Sequence, residues 1–195
     1  MKSPDHRAAL AALIEGNRRF AEGTAEHPRQ DARRREEVLA KGQNPFAAIV
    51  GCADSRVPPE IVFDQGLGDL FVIRVAGNLV DDFELASLEY VVSHLGTPLI
   101  AVMGHTRCGA VTAALAAEDA PGRLSAIIKA LGPSIEKARA ASGDLVETAA
   151  RESVKSTVAA LKASEPVLRP LVERGALRIV GMFYDIERGT VEVIS

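Results

Sequence analysis

The sequence predicts an α/β fold: a mostly parallel central sheet of four strands with an antiparallel edge strand, flanked by helices and preceded by an N-terminal helical arm. Three observations predict it. Several short apolar runs end in glycine, as buried strands do. Segments with helical spacing separate those runs, which implies βαβ units with right-handed crossovers and a parallel sheet. A final alternating run follows the turn-like segment ERG at 187–189, which sets the last strand antiparallel.

The elements follow in order. Residues 6–22 carry Leu10, Leu13, Ile14 and Phe20 at helical spacing. Residues 31–41, DARRREEVLAK, read as a charged and exposed second helix that ends near Gly42. Together, residues 1–42 make an arm with little apolar surface of its own. Such an arm must pack on something, and composition leaves a partner subunit and its own domain equally open. AAIVG at 47–51 is the first buried strand, LFVIRVAG at 70–77 the second and TPLIAVMG at 97–104 the third. ALRIVGMFYD at 176–185 is the fourth, and TVEVIS at 190–195 alternates as an edge strand does. Helical patterns cover 81–95, 109–118, 121–141 and 144–174, the last broken near Pro166 and Pro170.

A chain of 195 residues without a composition shift reads as one domain, 1–195. A hydrophobic share of 47% supports a sizeable core and argues against disorder. The net charge of −3 gives no electrostatic footprint for nucleic acid. Residues 1–19 are charged and lack the long apolar core of a secretory signal. No apolar run approaches the roughly 18–20 residues that span a bilayer. The expectation is a cytoplasmic protein with no membrane partner.

The chemistry sits after two of the strands. AAIVG leads directly into Cys52-Ala53-Asp54-Ser55-Arg56, and LIAVMG into His105-Thr106-Arg107-Cys108-Gly109. In open α/β sheets, ligands bind beyond the carboxyl ends of strands where strand order reverses. If these strands are neighbours, the chain's only two cysteines and His105 converge there. Two sulfurs and one imidazole suit zinc, and a Cys₂His set with an open fourth position is a catalytic arrangement. Cys108 opens a helix, whose N-terminus favours a thiolate. Asp54 is placed to accept a hydrogen bond from a zinc-bound hydroxide. Left alone it would become a fourth ligand and close the site. Arg56 can prevent this by a bidentate bond to the carboxylate. C-x-D-x-R on its own would suggest a helix-capping aspartate and a solvated arginine. Beside H-x-x-C after a second strand it reads as a ligand, a hydroxide orienter and a clamp. His6 and His27 sit in charged N-terminal segments, and His94 lies near a helix end. Only His105 has a cysteine three residues on and a strand directly before it.

CADSRV at 52–57 and GHTRCGAV at 104–111 together resemble the paired signatures of the β-class carbonic anhydrases. The likeness extends through 58–78 and 87–96 and resumes at 175–191. It implies reversible hydration of carbon dioxide to bicarbonate and a proton, by attack of a zinc-bound hydroxide. It implies one zinc on Cys52, His105 and Cys108, with Asp54 and Arg56 as the catalytic dyad and Asp54 a conditional fourth ligand in a closed state. In the plant-like branch it places Gln43, Phe71, Tyr90 and Gly109 at the substrate, and a pocket valine is Ala76 here. It implies a homodimer or higher even oligomer with sites at the subunit interface and the arm laid over the neighbour.

One branch of that family is switched off by bicarbonate at a tryptophan–arginine–tyrosine triad. The tryptophan position is Ile49 here and the chain has no tryptophan, although Arg74 and Tyr184 match the other two. The expectation is an unswitched enzyme with Asp54 paired to Arg56. Carbonyl sulfide or carbon disulfide hydrolysis on the same metal core is the alternative enzyme. A non-catalytic zinc domain gives Arg56 no role, and a thiol-redox module lacks C-x-x-C spacing.

Overall fold

A computed structural model describes residues 5–116 and 120–195. Helix α1 (His6–Ala21) is capped by Asp5, whose carboxylate accepts from the N–H groups of Arg7 and Ala8. Helix α2 (Ala32–Lys41) is capped by Asp31 in the same way, through Arg34 N–H. Then come β1 (Ala47–Gly51), α3 (Pro59–Val62), β2 (Leu70–Arg74), α4 (Asp82–His94), β3 (Leu99–His105) and α5 (Gly109–Ala116). The chain continues through α6 (Leu124–Arg139), α7 (Leu145–Ala163), α8 (Leu168–Glu173), β4 (Arg178–Asp185) and β5 (Thr190–Val193).

The strand order is β2-β1-β3-β4-β5. The first four strands are parallel, and β5 runs antiparallel to β4. The α/β class, the four-strand parallel sheet and the antiparallel edge are therefore as the sequence predicts. From β1 the chain crosses to β2 on one side, and later places β3 on the other. The reversal opens a crevice beyond the carboxyl ends of β1 and β3.

Alternation along the strands splits the core into two layers. Ala47 and Ile49 face a layer built with α1, α5 and α6. Ala48 and Val50 face a layer built with α4, α7 and α8.

The arm does not behave as one unit. Helix α1 buries Ala9 and Leu13 completely against its own domain. Asn17 fixes that contact: its amide donates to Val62 O at 3.1 Å and Gly189 O at 2.9 Å, and its oxygen accepts from Val191 N–H at 2.7 Å. Gly16 is required there, because a Cβ would lie 1.8 Å from Phe63 O. Arg19 Nε donates to the buried Asp64 carboxylate at 2.6 Å. Helix α2, by contrast, buries no residue. It is tied down by polar contacts, such as Arg34 Nε to Leu67 O at 2.9 Å.

Some boundaries differ from the sequence reading. β2 stops at Arg74 rather than 77, because residues 75–78 form a turn with Gly77 at φ 79° and Asn78 N–H on Val75 O. The four-residue helix α3 was not expected. Helix α6 is shorter than 121–141 and keeps Pro133 within it. The chain leaves helix at Ser164, and Pro170 lies in the first turn of α8, where a proline disrupts little. The end of the helix expected over 109–118 lies outside the described residues.

Candidate metal centre

Cys52 follows β1, His105 ends β3, and Cys108 directly precedes α5. Gly51 pairs with Met103 in the parallel ladder, so the two strand ends lie side by side. One ligand atom from each of Cys52, His105 and Cys108 lies within 4.8 Å of the other two, and all three residues are buried.

The imidazole is oriented. His105 Nδ1 lies 2.8 Å from Thr106 O, and since a carbonyl only accepts, Nδ1 carries the hydrogen. That leaves the lone pair on Nε2, which is buried with no hydrogen-bond partner. A buried polar atom without a partner is costly. Here it stands beside two sulfurs, so the donor set fits a soft divalent metal such as zinc. Among the described residues, the nearest carboxylate oxygen to Nε2, Asp54 Oδ2, is 4.0 Å away.

The sulfurs are differentiated. Cys52 Sγ accepts from Gly77 N–H at 3.3 Å and Asp54 N–H at 3.4 Å. The hydrogen bond it shares with Cys108 is the largest cause holding the Cys52 thiol well below its ordinary range. Burial opposes this, and His105 and the two backbone N–H groups reinforce it. The same sharing, with burial, pushes Cys108 up. Gly77 aims its N–H at Cys52 Sγ from a left-handed turn, which a side chain would strain.

Asp54 and Arg56 form the bidentate pair. Arg56 Nε donates to Oδ1 at 2.9 Å and Nη2 to Oδ2 at 2.6 Å, while Arg56 N–H also reaches Oδ1 at 2.9 Å. The guanidinium hydrogen bond is the main reason the Asp54 carboxyl sits well below the usual carboxylate range, with burial opposing it. Arg56 Nη2 also donates to Arg107 O at 3.1 Å. Arg107 turns that carbonyl toward it from a left-handed φ of 54°. The clamp therefore joins both loops. Arg74 holds the first loop from below, through Nε to Cys52 O at 2.9 Å and Nη2 to Asp54 O at 2.5 Å.

Gly109 opens α5 next to Cys108, and a Cβ built on it would meet nothing within 4 Å. Gln43, Phe71 and Tyr90 lie elsewhere. Gln43 is exposed before β1, at the end away from Cys52. Phe71 pairs with Ala48 and packs in the layer on the opposite face of the sheet from Cys52. Tyr90 stands 6.3 Å from Phe71 and stacks on His94 at 5.0 Å, 45% exposed. Within one chain these three do not reach the cluster. Ile49 is fully buried in the core, and Ala76 is half-buried beside Gly77. Tyr184 is buried on β4, where burial raises its phenol.

Sequence reasoning did not single out Gly77, Thr106 or the carbonyl of Arg107, and it noted Arg74 only as a match to the arginine of the bicarbonate triad, not as a support of the Cys52 loop. Positions 106 and 107 lie between His105 and Cys108, which was the available signal.

A family model described as carbonic anhydrase matches residues 47–191. That span holds Cys52, Asp54, Arg56, His105 and Cys108, and it excludes α1, α2 and Gln43. Carbonic anhydrase 2 of Mycobacterium tuberculosis is 44% identical over 186 residues, covering 93% of this chain and 89% of that protein. The chain belongs to the β-class carbonic anhydrases. A carbonic anhydrase of Mycolicibacterium smegmatis is 42% identical over 192 residues, covering 96% and 93%. Among solved structures, a tetrameric β-carbonic anhydrase from Sordaria macrospora superimposes with a TM-score of 0.76. It shows 26% identity and covers 96% of this chain and 98% of that one. Among the described residues, no helix is long and apolar enough to cross a membrane.

Proposed function

We propose that this chain reversibly hydrates carbon dioxide to bicarbonate and a proton, with zinc held by Cys52, His105 and Cys108. The observation that carries the reading is the partnerless, buried Nε2 of His105, aimed beside two sulfurs while the nearest carboxylate is held by Arg56. When bound, zinc supplies Lewis acidity and lowers the pKa of water toward ~7.

The chain's own residues divide the remaining work. Asp54, kept ionised by Arg56, accepts a hydrogen bond from the attacking water and so orients it. Arg56 prevents Asp54 from becoming a fourth ligand; if the clamp opens, Asp54 closes the site. Gly109 places the N-terminus of α5, with its partial positive charge, at the product anion. Phe71 and Tyr90 supply the apolar side of the substrate pocket, and the Gln43 amide reaches the substrate. Since Phe71 and Tyr90 sit across the sheet from the cluster of their own chain, this requires a second copy. A homodimer or higher even oligomer, with α2 packed on the neighbour, is the corresponding assembly. The bare polar surface of α2 and the tetrameric relative support it. A cytoplasmic location and no nucleic-acid partner complete the proposal.

The enzyme is unswitched near neutral pH. Asp54 is paired with Arg56, and Ile49 offers no indole N–H to hold a second bicarbonate. Stopped-flow turnover of carbon dioxide and of carbonyl sulfide on one zinc-loaded sample tests the proposal. Carbon dioxide is expected to be the faster substrate. Hydrolysis of carbonyl sulfide without hydration of carbon dioxide would replace it.

A further inference from the structure

Thr106 sits between two of the three cluster residues and contributes no atom to the cluster. All of its polar groups are nevertheless engaged. Its N–H donates to Tyr184 O at 3.0 Å, extending the β3–β4 ladder one step past His105. Its hydroxyl oxygen accepts from Ile186 N–H at 3.0 Å. Its carbonyl accepts from His105 Nδ1–H at 2.8 Å.

The three contacts act in sequence. The first two fix Thr106 against the end of β4, through Tyr184 O and through Ile186 N–H 80 positions away in the chain. With the residue held by its N–H and its side chain, the direction of its carbonyl is restricted, and the His105 ring takes its tautomer and rotation from that carbonyl. The next residue is the left-handed Arg107, and Cys108 follows. One anchor therefore sets the orientation of the imidazole and the path to the second sulfur.

We propose that Thr106 is a positioning residue for the metal centre, its hydroxyl pinning the turn that aims His105 Nε2. The inference rests on the zinc reading above. A methyl in place of the hydroxyl leaves Ile186 N–H without its acceptor and frees the turn. Valine keeps the shape of threonine and removes only the acceptor. Serine keeps the acceptor and removes only the methyl. Groups that orient a histidine ligand from outside the coordination sphere typically change metal affinity by about 10–100-fold.

The test is zinc affinity, measured by competition with a chromogenic chelator, for the wild type, Thr106→Val, Thr106→Ala and Thr106→Ser. The cobalt(II) absorption spectrum reports ligand geometry on the same proteins, and thermal melts of the metal-free forms report stability. Thr106→Val should weaken zinc by about 10–100-fold and alter the cobalt bands. Thr106→Ser should restore both. Should the valine variant fail to fold, the alanine variant, which removes the same acceptor with less bulk, is read in its place. Wild-type zinc affinity and cobalt bands in the variant lacking the hydroxyl, with only its melting temperature lowered, would overturn the inference and leave the zinc reading intact. A wild type that binds no zinc would instead remove the reading beneath it.

Discussion

Asn17→Ala is expected to destabilise the protein through three lost hydrogen bonds. The side chain is 4% exposed and joins α1 to Val62 O, Gly189 O and Val191 N–H, at 3.1, 2.9 and 2.7 Å. Alanine leaves two carbonyls and one N–H without this partner. At a net of roughly 0.5–1.5 kcal/mol for each bond, the sum is about 1.5–4.5 kcal/mol. For a chain of this size, about 1 kcal/mol shifts the melting temperature by roughly 2–4 °C, so the expected fall is roughly 3–18 °C. Circular dichroism melts of the metal-loaded wild type and variant, at one protein concentration, measure it. Hydrogen exchange should also quicken at Val191, whose N–H loses its acceptor. A loss below about 0.5 kcal/mol, the scale of an ordinary surface change, would refute the assignment of α1 to its own domain's core.

Other expectations follow from the site and its surroundings. Arg56→Ala should retain zinc and lose turnover by about 10–100-fold, the scale on which outer partners of a metal site act; wild-type turnover would remove the clamp. Asp64 gives a pH dependence. Burial raises its carboxyl, but Glu26 N–H, the Arg19 guanidinium and His27 N–H outweigh it and hold it below the ordinary 3.8. A lowered folded value contributes stability that is fully present above the unfolded value. That stability is lost as pH falls below ~3.9 toward the folded value. Asp64→Asn should therefore melt earlier near neutral pH and lose less on acidification than the wild type, as paired thermal melts at pH 7 and pH 3 would show; equal acid sensitivity in both would count against it. Removal of residues 6–41 should leave aggregated or inactive protein, because α1 covers part of the core; size-exclusion chromatography that returned a fully active monomer would contradict this.

The parallel sheet and the three cluster residues were legible for the same reason. Buried strands leave continuous apolar runs, and residues placed straight after them project into the crevice at their ends. AAIVG before Cys52 and LIAVMG before His105 carried both signals at once. What was not legible depends on partners far along the chain. Gly16 and Asn17 look like helix filler until Phe63 and Val191 are placed against them, so the arm read as more polar than it is. Thr106 looks like a spacer until Ile186 arrives. Helix α3 is too short for any periodicity to register. The early end of β2 follows from the turn at Gly77, whose purpose is to aim an N–H at Cys52. The positions of Gln43, Phe71 and Tyr90 away from the cluster could not be read from motif order, because a motif does not show which end or which face of the sheet its residues take once the helices are placed.

The central claim is that Cys52, His105 and Cys108 hold a catalytic zinc. Its most direct test is to measure zinc content and stopped-flow carbon dioxide hydration on the same samples of wild type and Cys108→Ser. The account predicts zinc bound to each wild-type chain with rapid hydration, and loss of both in the variant. Full zinc and full turnover in Cys108→Ser would contradict it.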